Sequence, residues 1–407
     1  MLDGEIFDRV VTSVERELTR TSYPSDFPVL PPIPAARYSD ADFFQLEQEH
    51  LFRKTWIWAA THISELPRDG SYKLFDQLGE SIIISRGKDG EIRAFKNSCR
   101  HRGAALLLAP TGRAPRFVCP YHAWGYSLDG ELKSVPDERD FACLNKAELS
   151  LLKVRCEVWN GFVFINFDDH AAPLSEFMAP LAAKSENFPF ENLEFKECYT
   201  RVLDCNWKVA LDNFIEIYHV NTVHVKTLVP ILDTRSFAPS LLPNGHGCFA
   251  TKKKSASVYG DVGLGDGDAG TDDLTNMYTI ALSRFPNSMT ALDPNGINWL
   301  NFWPLAPNKT LLMAGLMGPK IADPEANAAY CATLREANVA ILEEDIDLFA
   351  SVQRSIDKGD LKQLILGYQE QCLYWYHEEI DRVIGPSRVP EALRVKPLLA
   401  SHLQRSA

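Results

Sequence analysis

Two short ligand pairs constrain this chain more than anything else in it. Cys99-Arg100-His101 is a CxH pair and Cys119-Pro120-Tyr121-His122 a CxxH pair, with seventeen residues between them. Four such side chains oblige the backbone to fold back around a metal centre. A structural zinc site draws on the same residue types, but ordinarily as CxxC or HxxxH pairs. Here each pair mixes one thiolate with one imidazole, which suits a Rieske-type [2Fe–2S] centre, where two cysteines hold one iron and two histidines the other. Neutral imidazole leaves the cluster less negative, so it accepts an electron more readily than an all-cysteine cluster. The flanking segments Asn97 to Gly103 and Cys119 to Tyr126 carry Gly or Pro beside the ligands, and such turns can aim backbone N–H groups at cluster sulfurs.

A chain of 407 residues is too long for one electron-transfer module and predicts two or three domains. With 45% hydrophobic and 24% charged residues it has material for more than one core. No run of eighteen apolar residues occurs and Met1-Leu2-Asp3-Gly4-Glu5 lacks a secretory pattern, so the expected address is the cytoplasm, with no membrane association. A net charge of −12 argues against nucleic acid or an anionic surface as partner. The seven cysteines outside the two pairs (Cys143, Cys156, Cys198, Cys205, Cys248, Cys331 and Cys372) have no paired spacing and read as reduced, mostly buried thiols.

The pattern along the chain predicts an α+β protein. Residues 3–20 read as a helix, the proline-rich segment 24–34 as an extended strap, and residues 40–54 as a second helix with Ser39 as its N-cap. From 56 to 167 short strands and turns predict a small all-β domain holding the four ligands, including a hairpin around Asp89-Gly90. Beyond it, 173–188 and 206–220 read as helices and 195–202 as a strand. Strands near 278–283, 289–293, 297–303 and 310–317 predict a second sheet, followed by helices over 324–357 and 366–384. The Gly/Asp-rich stretch 260–270 reads as a loop, either a surface insertion or an active-site lid.

A second metal site is suggested by Glu216, His219 and His224 in the block Asn206 to His224. Two histidines five apart can converge on one ion, with a third ligand from elsewhere; non-haem Fe(II) oxygenases use two His and one carboxylate on one face of the metal. The helix near 334–352 offers Glu343, Glu344, Asp345 and Asp347 as candidate carboxylates. At about 100° per residue, Leu334, Asn338, Ile341, Asp345, Leu348, Phe349 and Val352 share one stripe, while Glu343, Glu344 and Asp347 point away. Asp345 is thus a lone carboxylate on a buried face, needing either an Arg or Lys partner or a metal.

The segments Cys99-Arg100-His101-Arg102-Gly103, Cys119-Pro120-Tyr121-His122-Ala123-Trp124, Asn206 to His224, and Glu344-Asp345 with Val352-Gln353-Arg354 together resemble the α subunit, or terminal oxygenase component, of the Rieske non-haem iron ring-hydroxylating oxygenases. The similarity in order and spacing runs from about residue 38 to 385. It implies a Rieske domain at 56–167 and a catalytic domain at 168–407 with an antiparallel, helix-grip-like sheet flanked by helices, preceded by N-terminal helices and strap at 1–55, helix 40–54 packing on the catalytic domain. It implies that Cys99, His101, Cys119 and His122 hold the [2Fe–2S] cluster and that His219, His224 and Asp345 hold a mononuclear Fe(II). Glu216 would stand where the family most often has an Asp, bridging His122 of one subunit to His219 of its neighbour.

The resemblance further implies a head-to-tail homotrimer or stacked trimers without a β subunit, dioxygen as co-substrate, and electrons from NAD(P)H through a separate reductase, with or without a ferredoxin. The chain itself has no GxGxxG after a strand and no flavin motif. The expected substrate is a hydrophobic or aromatic small molecule undergoing mono- or dioxygenation; the alternative is N- or O-demethylation of a quaternary ammonium or methoxylated compound. The aromatics of Ile297 to Trp303 read as core more readily than as pocket.

Overall fold

The computed structural model describes residues 4–185, 188–254 and 273–404, and the chain forms two compact units: Arg53–Glu176, and Met1–Phe52 with Phe177–Ala407. The stretch 260–270 lies outside the described residues. The helices are α1 (Gly4–Thr19), α2 (Ala41–Leu46), α3 (Leu174–Ser185), α4 (Trp207–Phe214), α5 (Val220–Val223), α6 (Asp273–Met277), α7 (Pro324–Asp357) and α8 (Gln371–Ile384). No helix is long and apolar enough to cross a membrane among the described residues.

The unit Arg53–Glu176 is all-β apart from short turns and the first turn of α3. Seven antiparallel strands run in the order Ile57–His62, Phe162–Asn166, Lys153–Trp159, Ile92–Lys96, Ile82–Arg86, Ser71–Phe75 and Thr111–Arg113. A smaller sheet joins Phe117–Val118, Gly125–Tyr126 and Leu132–Ser134. The run Ile82-Ile83-Ile84 is buried because both faces of its strand are covered, and Gly90, at φ +87°, supplies the left-handed turn to the next strand.

The other unit is built on a second antiparallel sheet of seven strands, ordered Leu193–Leu203, Lys309–Pro319, Gly296–Ala306, Ser288–Asp293, Tyr278–Arg284, Gly247–Lys252 and Ala238–Leu241. Two of these, at 238–241 and 247–252, were not expected from sequence, because neither alternates: the first is buried only at its ends, Ala238 and Leu241, and the second is buried without a break from Gly247 to Thr251. Helix α7 lies over one face, where Leu316 packs with Tyr330, Cys331 and Leu334. Asp323 caps α7 by accepting from Ala326 N at 2.7 Å, and Pro324 fills the first helical position.

Three local expectations are corrected. The N-cap of α2 is Asp40, which accepts from Phe43 N at 2.7 Å, and not Ser39; α2 then widens into a π-helical turn over Glu47–Phe52. The helix expected over 206–220 is two helices, because α4 stops at Phe214 and α5 begins at Val220. The Glu216 carboxylate between them captures the N–H groups of Tyr218 and His219, competing with helix continuation. On α7, Leu348 and Val352 are exposed, and the buried stripe is Leu334, Asn338, Leu342, Asp345, Phe349 and Gln353.

A buried charged network fastens the N-terminal segment to α4 and α8. Lys208 pairs with Glu47 at 2.7 Å, both fully buried. Tyr38 donates to Asp212 Oδ2 at 2.6 Å and lies 2.8 Å from His377 Nε2. Arg37 donates to His377 Nδ1 at 3.0 Å and pairs with Asp381 at 2.7 Å.

Candidate metal centres

The four sequence-predicted cluster ligands sit on two loops that repeat one backbone turn. In the first, Cys99 N donates to Ala104 O and Gly103 N to Cys99 O; in the second, Cys119 N donates to Trp124 O and Ala123 N to Cys119 O. The residue four places after each cysteine has positive φ, +79° at Gly103 and +57° at Ala123. Glycine adopts this freely, whereas Ala123 costs roughly 1 kcal/mol, so the second loop keeps the turn at the expense of strain.

The turns bring the side chains together. Cys99 and Cys119 are both buried, and the His101 and His122 rings lie 4.7 Å apart. Trp124 stacks on His101 at 4.8 Å, which fixes that ring. Tyr126 Oη lies 3.3 Å from Cys99 Sγ and accepts from Arg100 N at 3.0 Å. Burial and the neighbouring Cys119 push the Cys99 thiol up. Burial, His101 and Arg102 hold His122 below its ordinary value, in the neutral form a metal requires. His101 Nδ1 is buried with no hydrogen-bond partner among the described residues. An orphaned imidazole nitrogen beside two close thiols fits a [2Fe–2S] cluster.

In the other unit His219, His224 and Asp345 offer three ligand atoms within 4.8 Å of one another. His224 and Asp345 are each 1% exposed. His219 Nδ1 is hydrogen-bonded to Glu216 Oε1, and His224 Nδ1 donates to Glu344 Oε2 at 2.7 Å. Carboxylates on both Nδ1 atoms keep the proton there and turn both Nε2 lone pairs toward Asp345. His224 Nε2 is 3.0 Å and His219 Nε2 3.6 Å from Asp345 Oδ1, yet neither Asp345 oxygen has a hydrogen-bond partner among the described residues. Two aimed imidazoles and a buried, unpartnered carboxylate fit a divalent iron with open coordination positions.

Glu344 was expected to point away and does not. It also accepts from Thr227 Oγ1 at 2.6 Å; burial opposes its ionisation, but the bonds from Thr227 and His224 outweigh that and lower it. Only its adjacency to Asp345 hinted at a role in the sequence, and helical periodicity separated the two. Glu216 is joined to His219 as described, and His122 is a residue of the other unit.

Beside the three candidate ligands opens a cavity of about 200 Å³. A row of facing residues on five strands, Phe249, Ala281, Ala291, Asn298 and Leu316, forms its floor, and two alanines in that row leave the space. Ile341 and Leu342 of α7 and Phe214 of α4 cover it. Trp299 and Leu300 also line it, whereas Phe302 and Trp303 are core. Tyr199 Oη, Asn213 Nδ2 and Thr279 Oγ1 belong to lining residues and have no hydrogen-bond partner among the described residues.

Fold and centres define a two-domain protein with a Rieske cluster domain and a mononuclear metal domain. Residues 55–148 match the family model of the Rieske [2Fe-2S] domain, and residues 190–386 that of the ring hydroxylating alpha subunit catalytic domain. The 2-aminobenzenesulfonate 2,3-dioxygenase subunit alpha of Alcaligenes sp is 30% identical over 298 residues, covering 70% of this chain and 73% of that protein. The chain belongs to the Rieske non-haem iron ring-hydroxylating oxygenase α subunits, whose cofactors are a Rieske [2Fe–2S] cluster and a mononuclear iron. The carnitine monooxygenase oxygenase subunit of Escherichia coli (strain K12) is 39% identical over 195 residues, 47% of this chain; the match spans about half of that relative, 52%. A solved structure of a quaternary ammonium Rieske monooxygenase superposes with a TM-score of 0.76 at 25% identity, covering 89% of this chain and 99% of that one.

Proposed function

We propose that this protein is the terminal component of a multicomponent Rieske oxygenase that hydroxylates a hydrophobic or aromatic small molecule. The observation that carries the reading is the pair of Nδ1–carboxylate bonds, from His219 to Glu216 and from His224 to Glu344, that aims both Nε2 atoms at the unpartnered Asp345 beside an apolar cavity. In this reading residues 56–167 receive electrons and residues 168–407 carry out the chemistry. Cys99, His101, Cys119 and His122 hold the cluster; His219, His224 and Asp345 hold the iron. When bound, the cluster supplies electrons singly and the iron activates dioxygen.

The remaining residues orient and exclude. Glu216 and Glu344 fix the two imidazoles, and in a head-to-tail homotrimer Glu216 of one subunit also accepts from His122 of the next. The cavity's apolar walls hold the substrate and keep bulk water from it. A separate reductase, with or without a ferredoxin, draws on NAD(P)H, in the cytoplasm. A second reading, demethylation or oxidation of a quaternary ammonium compound, is favoured by the similarity to carnitine monooxygenase.

The test begins with the absorption spectrum of the purified protein and its iron and sulfide content. About three irons and two sulfides per chain are expected, with the cluster's visible bands. Oxygen uptake with a surrogate reductase is then screened against aromatic acids, neutral hydrophobic rings and methylated amines. Absence of cluster absorbance, or of iron beyond the cluster, would sink the reading.

A further inference from the structure

The cavity is not uniform along its length. Asn338 of α7 donates to Asn298 Oδ1 at 2.9 Å, so that point of the helix lies over the row of Ala291, Asn298 and Leu316. Asp345 follows seven residues later, about 10 Å along the axis. In the opposite direction Tyr330 of α7 sits against Gly296 and Gly318, where a Cβ would strike its hydroxyl. Those glycines share a cross-strand row with Asp293, because Asp293 faces Gly296. Thr279 belongs to the same row: Ile280 faces Leu292, which sets Thr279 level with Asp293, and Thr251 faces Thr279. The row of Thr251, Thr279 and Asp293 therefore closes the cavity at the end away from the three metal ligands, with the alanine-floored apolar stretch between.

That far end is polar but electrically compensated. Asp293 Oδ2 pairs with Lys253 Nζ at 2.9 Å, and the two side chains are 4% and 1% exposed. Lys253 also donates to Thr275 O at 2.7 Å, and Asp293 Oδ1 accepts from Asn295 N at 3.1 Å. Asp293 lines the cavity with its charge already matched by Lys253 behind it, so neither a bound cation nor a bound anion finds an uncompensated counter-charge at that end. Thr279 Oγ1, which is buried with no partner among the described residues, is instead open to a neutral donor or acceptor. Leaving such a hydroxyl unpaired is costly, so a ligand that reaches it gains selectively over one that does not.

Building on the oxygenase reading, we propose that the substrate is an elongated, mainly apolar molecule with a neutral hydrogen-bonding group at the end remote from the carbon to be oxidised, bound there by Thr279. A fixed charge at that end, whether quaternary ammonium or carboxylate, is disfavoured.

The test is equilibrium dialysis of the purified full-length holoprotein with four probes on one scaffold: biphenyl, 4-hydroxybiphenyl, 4-biphenylyltrimethylammonium and biphenyl-4-carboxylate. The hydroxyl compound is expected to bind roughly 3- to 10-fold more tightly than biphenyl, the worth of one neutral hydrogen bond, and both ions more weakly than biphenyl. Thr279→Val, which keeps the side-chain shape, should erase that preference while leaving biphenyl binding unchanged; Thr279→Ser should retain it. Equal affinity for biphenyl and its hydroxyl derivative, a preference that persists in Thr279→Val, tightest binding of either ion, or no binding by any probe would overturn the proposal. Because dialysis needs no electron supply, the outcomes separate. Protein lacking cluster and iron that still shows the preference would refute the oxygenase reading alone, and loaded protein without it would refute this one alone.

Discussion

Glu344 Oε2 accepts a hydrogen bond from His224 Nδ1 at 2.7 Å, while the carboxylate of the next residue, Asp345, stands 3.0 Å from the other nitrogen of the same ring. Adjacent carboxylates on one helix thus address one imidazole from both ends. One fixes its proton and orientation, and the other faces the metal position with it.

Removing the orienting carboxylate should weaken iron without abolishing its site. For Glu344→Gln the affinity for Fe(II) in iron-depleted protein is expected to fall roughly 10- to 100-fold, with the cluster spectrum unchanged. Anaerobic Fe(II) titration measures it.

Asp345→Asn should eliminate mononuclear iron and leave the cluster. Wild-type protein should be stabilised by added Fe(II), by about 2.7 kcal/mol at a hundredfold excess over Kd, seen as a rise in melting temperature. The variant should show no rise, because its neutral amide cannot supply the missing ligand charge.

With Cys99 as a cluster ligand, Tyr126 Oη, 3.3 Å from Cys99 Sγ, would stabilise the more negative, reduced form of the cluster. Tyr126→Phe should therefore lower the reduction potential by roughly 20–60 mV, the one-electron equivalent of one hydrogen bond. Electrochemical titration of the holoprotein checks both sign and size; an unchanged or higher potential would refute the role.

Asp212 is buried beside Tyr38, and burial pushes its carboxyl up to about 7 against the hydrogen bond from Tyr38. The folded protein then binds this proton where the unfolded chain, at an ordinary 3.8, has released it. The resulting stability is full below about pH 4 and declines as pH rises to about 7. Asp212→Asn retains an acceptor for Tyr38 but has no proton to lose. Relative to wild type, its melting temperature should rise steadily from pH 5 to pH 8 and level off above.

Local chemistry made much of this protein legible. The pairs at Cys99/His101 and Cys119/His122 needed only residue types and spacing, because their ligands lie within single turns. Helix α7 was readable from end to end since Pro324 and a long amphipathic pattern mark it. Asp345 stood out as a lone carboxylate on a buried stripe. The break between α4 and α5 was not legible, because it depends on the Glu216 side chain capturing backbone N–H groups. Nor was the role of Glu344, since a helix's periodicity tells which residues face inward but not where a neighbouring loop passes. The strands at 238–241 and 247–252 became strands only by pairing within a sheet. Sequence alone marked the candidate ligands and the family resemblance, which rest on residue types and on spacings within single turns or along one helix. Tertiary structure decided which carboxylate serves His224, and how charge is balanced between Lys253 and Asp293 at the far end of the cavity, because those depend on side chains that meet only when distant segments fold together.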